Sequence, residues 1–194
     1  LGQGASLCAI KDGKSQETTM GLTPLDGLMM GTRSGSIDPS IIEYVCKESG
    51  MTVEEVTKIL NKQSGFLGLV NHADCRDVEE LIDKGDEFAK VVLNMYCNRI
   101  ADYIGKYYLE LEGKVDTIVF TAGVGENGPI EREMVAKRLR PLGVILDEEK
   151  NNHIASYKEK QQGEITSENS KIKIEVIPTN EEIMIVRDTY DFVK

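Results

Sequence analysis

The sequence predicts an α/β fold in which helices flank a mixed sheet. Three patterns carry that prediction. A hairpin signal lies near the start of the chain. A continuous apolar run of strand length occupies 115–121, between helical segments. An alternating stretch at 171–179 runs directly into a final helical pattern.

Residues 5–20, "ASLCAIKDGKSQETTM", read as a β-hairpin, because Asp12-Gly13 supplies the positive φ angles of a tight two-residue turn. The next stretch, "GLTPLDGLMMGTRSGSIDPS", is too rich in glycine and proline for regular structure and too apolar for a solvent linker. It is expected to be a buried irregular loop that shapes a site. Asp38-Pro39 gives an N-cap and a first-turn proline for a helix ending at Gly50. Thr52 with Glu55 makes a capping box ahead of a second helix.

Over residues 86–112, Phe88, Val91, Val92, Met95, Ile100, Tyr103, Ile104, Tyr107 and Leu111 recur at helical spacing. They predict a long helix that buries one stripe as core or subunit interface. "VDTIVFT" at 115–121 fits a buried parallel strand. A helix from about Pro129 to Leu139, a short strand "GVIL" at 143–146 and a helix near 147–157 follow. The polar loop "QQGEITSENSK", the strand "KIKIEVIPT" and the closing helix "EEIMIVRDTYDFV" complete the chain.

The 194 residues suit one domain or a pair of small lobes. Acidic residues outnumber basic ones 33 to 23, for a net charge of −10, which argues against a general nucleic-acid surface or an anionic membrane. No apolar run approaches the roughly 20 residues of a membrane span. Cys8, Cys46, Cys75 and Cys97 are scattered without a C-x-x-C pair, as expected of reduced thiols in cytoplasm. His72 and His153 have no partner at metal-ligand spacing and read as surface or loop residues. The opening "LGQGAS" is a glycine-rich turn with neither Met nor strand before it. It suggests a piece of a longer protein.

Gly123, Gly125 and Gly128 spell G-x-G-x-x-G after a strand-like run. A dinucleotide reading gains from Asp147, placed about twenty residues on, where a ribose-binding carboxylate belongs. It loses because only one predicted strand remains after Asp147, and because Pro129 removes an amide donor from the helix start. A plain strand-to-helix turn is the competing reading of the loop taken alone.

Four segments taken together decide otherwise. "LGQGAS" at 1–6, "GLTPLDGLMMGTRSGSIDP" at 21–39, "TAGVGEN" at 121–127 and "IPTNEEIMIVRDT" at 177–189 closely resemble the acetate kinase family of short-chain acyl kinases. The resemblance runs from end to end of this chain and covers only the C-terminal half of such an enzyme. It implies an actin-like, ribonuclease H-like ATPase lobe. It further implies Mg²⁺-dependent transfer of phosphate between ATP and acetate, giving ADP and acetyl phosphate, in a homodimer paired through this domain.

The same resemblance assigns roles. Gly2, Gln3 and Gly4 approach the β- and γ-phosphates, with Gln3 standing where the family carries Asn, so that one added methylene moves the amide. Arg33 is the catalytic arginine, suited to fork onto a transferring phosphoryl group. Glu181 is the magnesium carboxylate, with Glu182 a chemically equivalent neighbour. Gly123, Val124, Gly125, Glu126 and Asn127 line the adenosine and α-phosphate. Asp74, Cys75 and Arg76 form a further nucleotide segment, although Asp74 also suits an N-cap before "DVEELI".

Carboxylate-binding residues of the family's N-terminal domain are absent here, so the chain alone is expected to bind nucleotide weakly and to have little activity. Propionate and butyrate kinases share the chemistry. A NAD-binding oxidoreductase domain and a dimerisation module built on 86–112 are the readings from other classes.

Overall fold

The computed structural model describes residues 1–154 and 161–194. An antiparallel hairpin opens the chain, β1 (Cys8–Lys11) against β2 (Lys14–Thr18), turning through Asp12 and Gly13 at φ 53° and 71°. Residues 19–39 then form no helix or strand, yet Leu28 and Met30 are buried. Five helices follow: α1 (Ser40–Ser49), α2 (Val53–Lys62), α3 (Gly65–Val70), α4 (Cys75–Asp83) and the long α5 (Glu87–Glu110). Asp38 Oδ1 accepts from the Ser40 amide at the start of α1, and Gly50 closes that helix in the left-handed region. Thr52 and Glu55 complete both halves of the capping box on α2.

The second half alternates strand and helix. β3 (Thr117–Phe120) leads into α6 (Ala122–Asn127) and α7 (Pro129–Arg138), followed by a 3₁₀ turn at Arg140–Leu142 and α8 (Glu148–His153). β4 (Gly163–Glu164) and β5 (Lys173–Val176) precede α9 (Glu181–Val193). The strand order is β3-β5-β4, with β5 parallel to β3 and antiparallel to β4, so the sheet is mixed as expected.

The core gathers around α5. Val92, Leu93, Tyr96 and Ile100 of α5 are buried with Val78 of α4, Phe66 of α3, Val135 of α7, and Phe120, Ile174 and Val176 of the sheet. The apolar spacing located α5, and its stripe divides between the core and the surface of the chain. Phe88, Val91 and Met95 are exposed, while Ala89, Leu93, Tyr96 and Cys97 face inward. Both faces of this helix carry apolar residues, so periodicity alone could not choose between them.

Five other expectations need correction. Residues 143–146 form no strand: Gly143, at φ 83°, closes the 3₁₀ turn, the Ile145 amide donates to Ser170 Oγ, and only Leu146 bridges to Thr166. The "polar loop" holds β4 and the fully buried Ile165, whose amide donates to the Ile174 carbonyl. β3 is parallel, but only Phe120 of it is buried, because β3 lies at the sheet's edge among the described residues. The glycine loop at 122–127 is a short helix rather than open loop. The helix expected near 147–157 is α8 over 148–153, and residues 155–157 lie outside the described residues.

The last helix has the bounds the sequence predicts, yet every residue of α9 is exposed, including Ile183, Met184, Val186, Tyr190 and Phe192.

Candidate functional site

The irregular segment 27–36 is held by the backbone groups that a buried loop must satisfy. The Met30 amide donates to the Arg33 carbonyl, Gly31 to Gln3, and Ser34 to Leu60, while Ser64, Phe66 and Leu67 donate back to Thr32, Met30 and Gly31. Gly31 has no room for a side chain, since a Cβ there would sit 2.5 Å from the Ala73 carbonyl oxygen. This weave lays segment 27–36 against the first loop, Gly2 to Gly4, and against the start of α3.

Arg33 lies where those loops meet. Its Nη1 would be 3.6 Å from a Cβ on Gly4, and it donates to the Met30 sulfur at 3.5 Å. Half-buried, its guanidinium pairs with no carboxylate among the described residues. The amides of Gln3 and Gly4 likewise meet no acceptor among those residues, while Gly2 donates across the turn to Gly4. A cation and free N–H groups on one rim make an anion-binding corner.

Next to that corner a cavity of about 220 Å³ opens between the first loop, segment 30–31 and helices α3 to α7. Asp74 caps α4 by accepting from the Arg76 amide, and the Arg76 side chain forks onto it, Nε to Oδ1 at 2.9 Å and Nη2 to Oδ2 at 2.5 Å. That arginine holds the Asp74 carboxyl below its ordinary value, so Asp74 serves as helix cap and cavity wall at once. Cys75 is buried and its thiol is pushed far up by burial, which excludes a thiolate nucleophile.

α6 supplies the opposite wall. It begins at Ala122, a residue other than glycine at φ 62°, an uncommon conformation that this turn enforces. The Leu1 carbonyl accepts from the amides of Val124 and Gly125, tying the first loop to the glycine turn. Below it, fully buried Arg132 donates to the carbonyls of Gly125 and Glu126 on one side. On the other it donates to the Asn151 side chain and to the carbonyls of Asn151 and Ile154. The Glu126 carboxylate accepts from Thr179, at N 2.9 Å and Oγ1 3.2 Å, fixing the segment that leads to Glu181.

Of the residues singled out from the sequence, Gly2, Gln3, Asp74, Cys75, Arg76, Gly123 and Val124 line the cavity. Gly4 and Arg33 sit together beside it, and Gly125 is buried behind its wall. Asn127 does not line it and donates to the Gly123 carbonyl. Glu126 turns toward Thr179. Glu181 stands exposed at the first turn of α9, outside the lining. Sequence reasoning missed Met30, Gly31, Phe66, Ala73, Glu79, Tyr96, Gly128 and Glu131, which also line it. "MMGTRSG" contains two of these; Glu79 and Glu131 carry no local signal, being ordinary helical glutamates by spacing.

Among the described residues no three His, Cys, Asp or Glu side chains gather into a metal cage. A single exposed carboxylate such as Glu181 suits Mg²⁺, which keeps waters and takes most of its remaining ligands from phosphate. Asp147 is spent on capping α8 and pairing with Lys150, and the strand a dinucleotide unit needs at 143–146 does not form. The three-glycine pattern is therefore coincidental.

Comparison with known proteins agrees with this geometry. An acetate kinase from Carboxydothermus hydrogenoformans is 49% identical over 193 residues, covering 100% of this chain and 47% of that protein. The crystal structure of Porphyromonas gingivalis acetate kinase superposes with a TM-score of 0.92 at 38% identity, covering 100% of this chain and 48% of the other. A Francisella tularensis propionate kinase structure gives 0.88 at 46% identity, over 95% and 46%. The chain thus spans about half the length of the relatives it matches, and its lobe has the actin-like ATPase fold of these neighbours. A model of the Acetokinase family matches residues 1–187. On these grounds the chain belongs to the Acetokinase family.

Proposed function

We propose that this chain is the C-terminal, nucleotide-binding half of an acetate kinase, which moves a phosphoryl group between ATP and acetate. The observation that carries the reading is Arg33: a half-buried guanidinium without a carboxylate partner, facing Gly4 and the free amides of the first loop. Phosphoryl transfer asks a protein for positioning and charge neutralisation above all. In the forward direction an acetate oxygen attacks the γ-phosphorus and the bond to the β-phosphate oxygen breaks, releasing ADP. Arg33 would fork onto the equatorial oxygens while the amides of Gln3 and Gly4 hold the phosphates from the other side. Asp74, Arg76, Gly123 and Val124 would hold the nucleoside in the cavity, with Gly125, Glu126 and Asn127 supporting that wall. Mg²⁺, carried by the phosphates and by Glu181, would neutralise their charge.

The carboxylate site would be shared with the half of such enzymes that this chain does not contain. The 46% identity to a propionate kinase keeps a three-carbon acid as the second reading. No helix of the described residues is long and apolar enough to cross a membrane, and all four cysteines are free, which supports a cytoplasmic enzyme. Nucleotide titration followed by melting temperature tests the reading. Mg-ATP and Mg-ADP should raise it and NAD should not, whereas a response to NAD alone overturns it.

A further inference from the structure

Two carboxyls in the cavity wall have no part in the chemistry above. Glu131 of α7 is fully buried, and apart from the neighbouring Glu79 carboxyl no hydrogen-bonding group among the described residues reaches either of its carboxylate oxygens. Glu79 of α4 faces it, and both line the cavity. A buried carboxylate without donors is costly, and its usual remedy is a charge or a donor that arrives with a ligand. Arg132, its neighbour in sequence, cannot serve, because its guanidinium is turned toward α6 and α8.

We infer that Glu131, braced by Glu79, is the acceptor for the exocyclic amino group of the nucleotide's base. This rests on the nucleotide reading of the cavity. Glu79 lies within hydrogen-bonding reach of Glu131 and can donate only while it carries a proton. Burial, and then the Glu131 charge beside it, push the Glu79 carboxyl up to about 8, so near neutral pH Glu79 keeps its proton. That proton satisfies one Glu131 oxygen and leaves the other an open acceptor.

Among the described residues the basic side chain that lines this cavity is Arg76, whose guanidinium forks onto Asp74. Asp74 and Asp83 act on Glu79 from α4 itself. Cys75, Tyr96 and Cys97 lie near on α4 and α5, their own ionisation suppressed by burial. Such a wall repels phosphate and accepts N–H. The phosphates therefore belong at the Arg33 rim and the base at the carboxyl end, between the apolar surfaces of Met30, Phe66 and Val124. An amine at the edge of that base fits; a carbonyl oxygen there would meet acceptor against acceptor.

ATP and purine riboside triphosphate differ at that position alone, an amine against a hydrogen. Calorimetric titration of each, as its Mg²⁺ complex at pH 7, should give at least about tenfold tighter binding of ATP by the unmodified chain. Glu131→Gln, an isosteric change, should bring the two within about twofold, chiefly by weakening ATP. Glu79→Gln should keep the preference, since its amide donates to Glu131 as the carboxyl proton does. Equal affinity for ATP and purine riboside triphosphate in the unmodified chain overturns the inference, with no variant needed. So does an unchanged ratio in Glu131→Gln. Binding of neither nucleotide would overturn the nucleotide reading itself, a different result from ATP binding without discrimination.

Discussion

A guanidinium that is half removed from water and faces no carboxylate is held in a costly state unless an anion visits it. Arg33 is in that state, fixed by the backbone weave around Met30 and Gly31 rather than by an ion pair. In the full-length protein, Arg33→Ala should lower kcat by roughly 10²–10³-fold, with nucleotide affinity altered only a few-fold, because its charge is needed most during transfer. Steady-state kinetics with nucleotide titration separates the two effects. Gly31→Ala drives a methyl into the Ala73 carbonyl and should cost about 1–3 kcal/mol, read by denaturant unfolding. Glu79 gives a pH signature. Its carboxyl is raised from an ordinary value near 4.5 to about 8, so its contribution to stability is fully present below about 4.5 and is lost as pH rises through 8. Glu79→Gln should therefore flatten the fall in melting temperature between pH 6 and pH 9.

Among the elements, those whose signals are local were legible. Asp12-Gly13 demanded a hairpin, Thr52 with Glu55 demanded a helix start, and α9 begins and ends where the apolar and capping residues placed it. Thr52→Ala should remove about 1 kcal/mol from the chain's stability, measurable by urea titration, since the Glu55 amide loses the hydroxyl that accepts from it. What failed was non-local. Ile165 is one apolar residue in a polar stretch, and only its pairing with Ile174 buries it. "GVIL" looks like a strand, but Gly143 turns the chain and Ser170 takes the amide a ladder would need. The site followed the same division. Residues on glycine-rich loops stood out because few sequences tolerate such loops, whereas Glu79 and Glu131 gain meaning only when α4 and α7 come together.

At the scale of the molecule, the apolar surface that the described residues leave uncovered includes Phe88, Val91 and Met95 on α5, and the apolar residues of α9. We propose that the first is a pairing face between copies. Sedimentation of the full-length protein should give a dimer that Val91→Glu and Met95→Glu convert toward monomer. α9 buries so little that a chain ending at residue 180 should melt within a few degrees of the intact one. The purified 194-residue chain should form little or no acetyl phosphate in a coupled assay, because part of the acid's site would lie in the half of the proposed enzyme that this chain does not contain. The Arg132 bracket bears on how a nucleotide arrives. The glycine turn is already tied through that buried guanidinium to Asn151 and Ile154, so little chain freedom remains to be surrendered on capture. In the proposed enzyme an incoming triphosphate would meet a wall already fixed in place, and its rate of entry should be that of a rigid cleft, set by diffusion and charge rather than by waiting for a loop to fold.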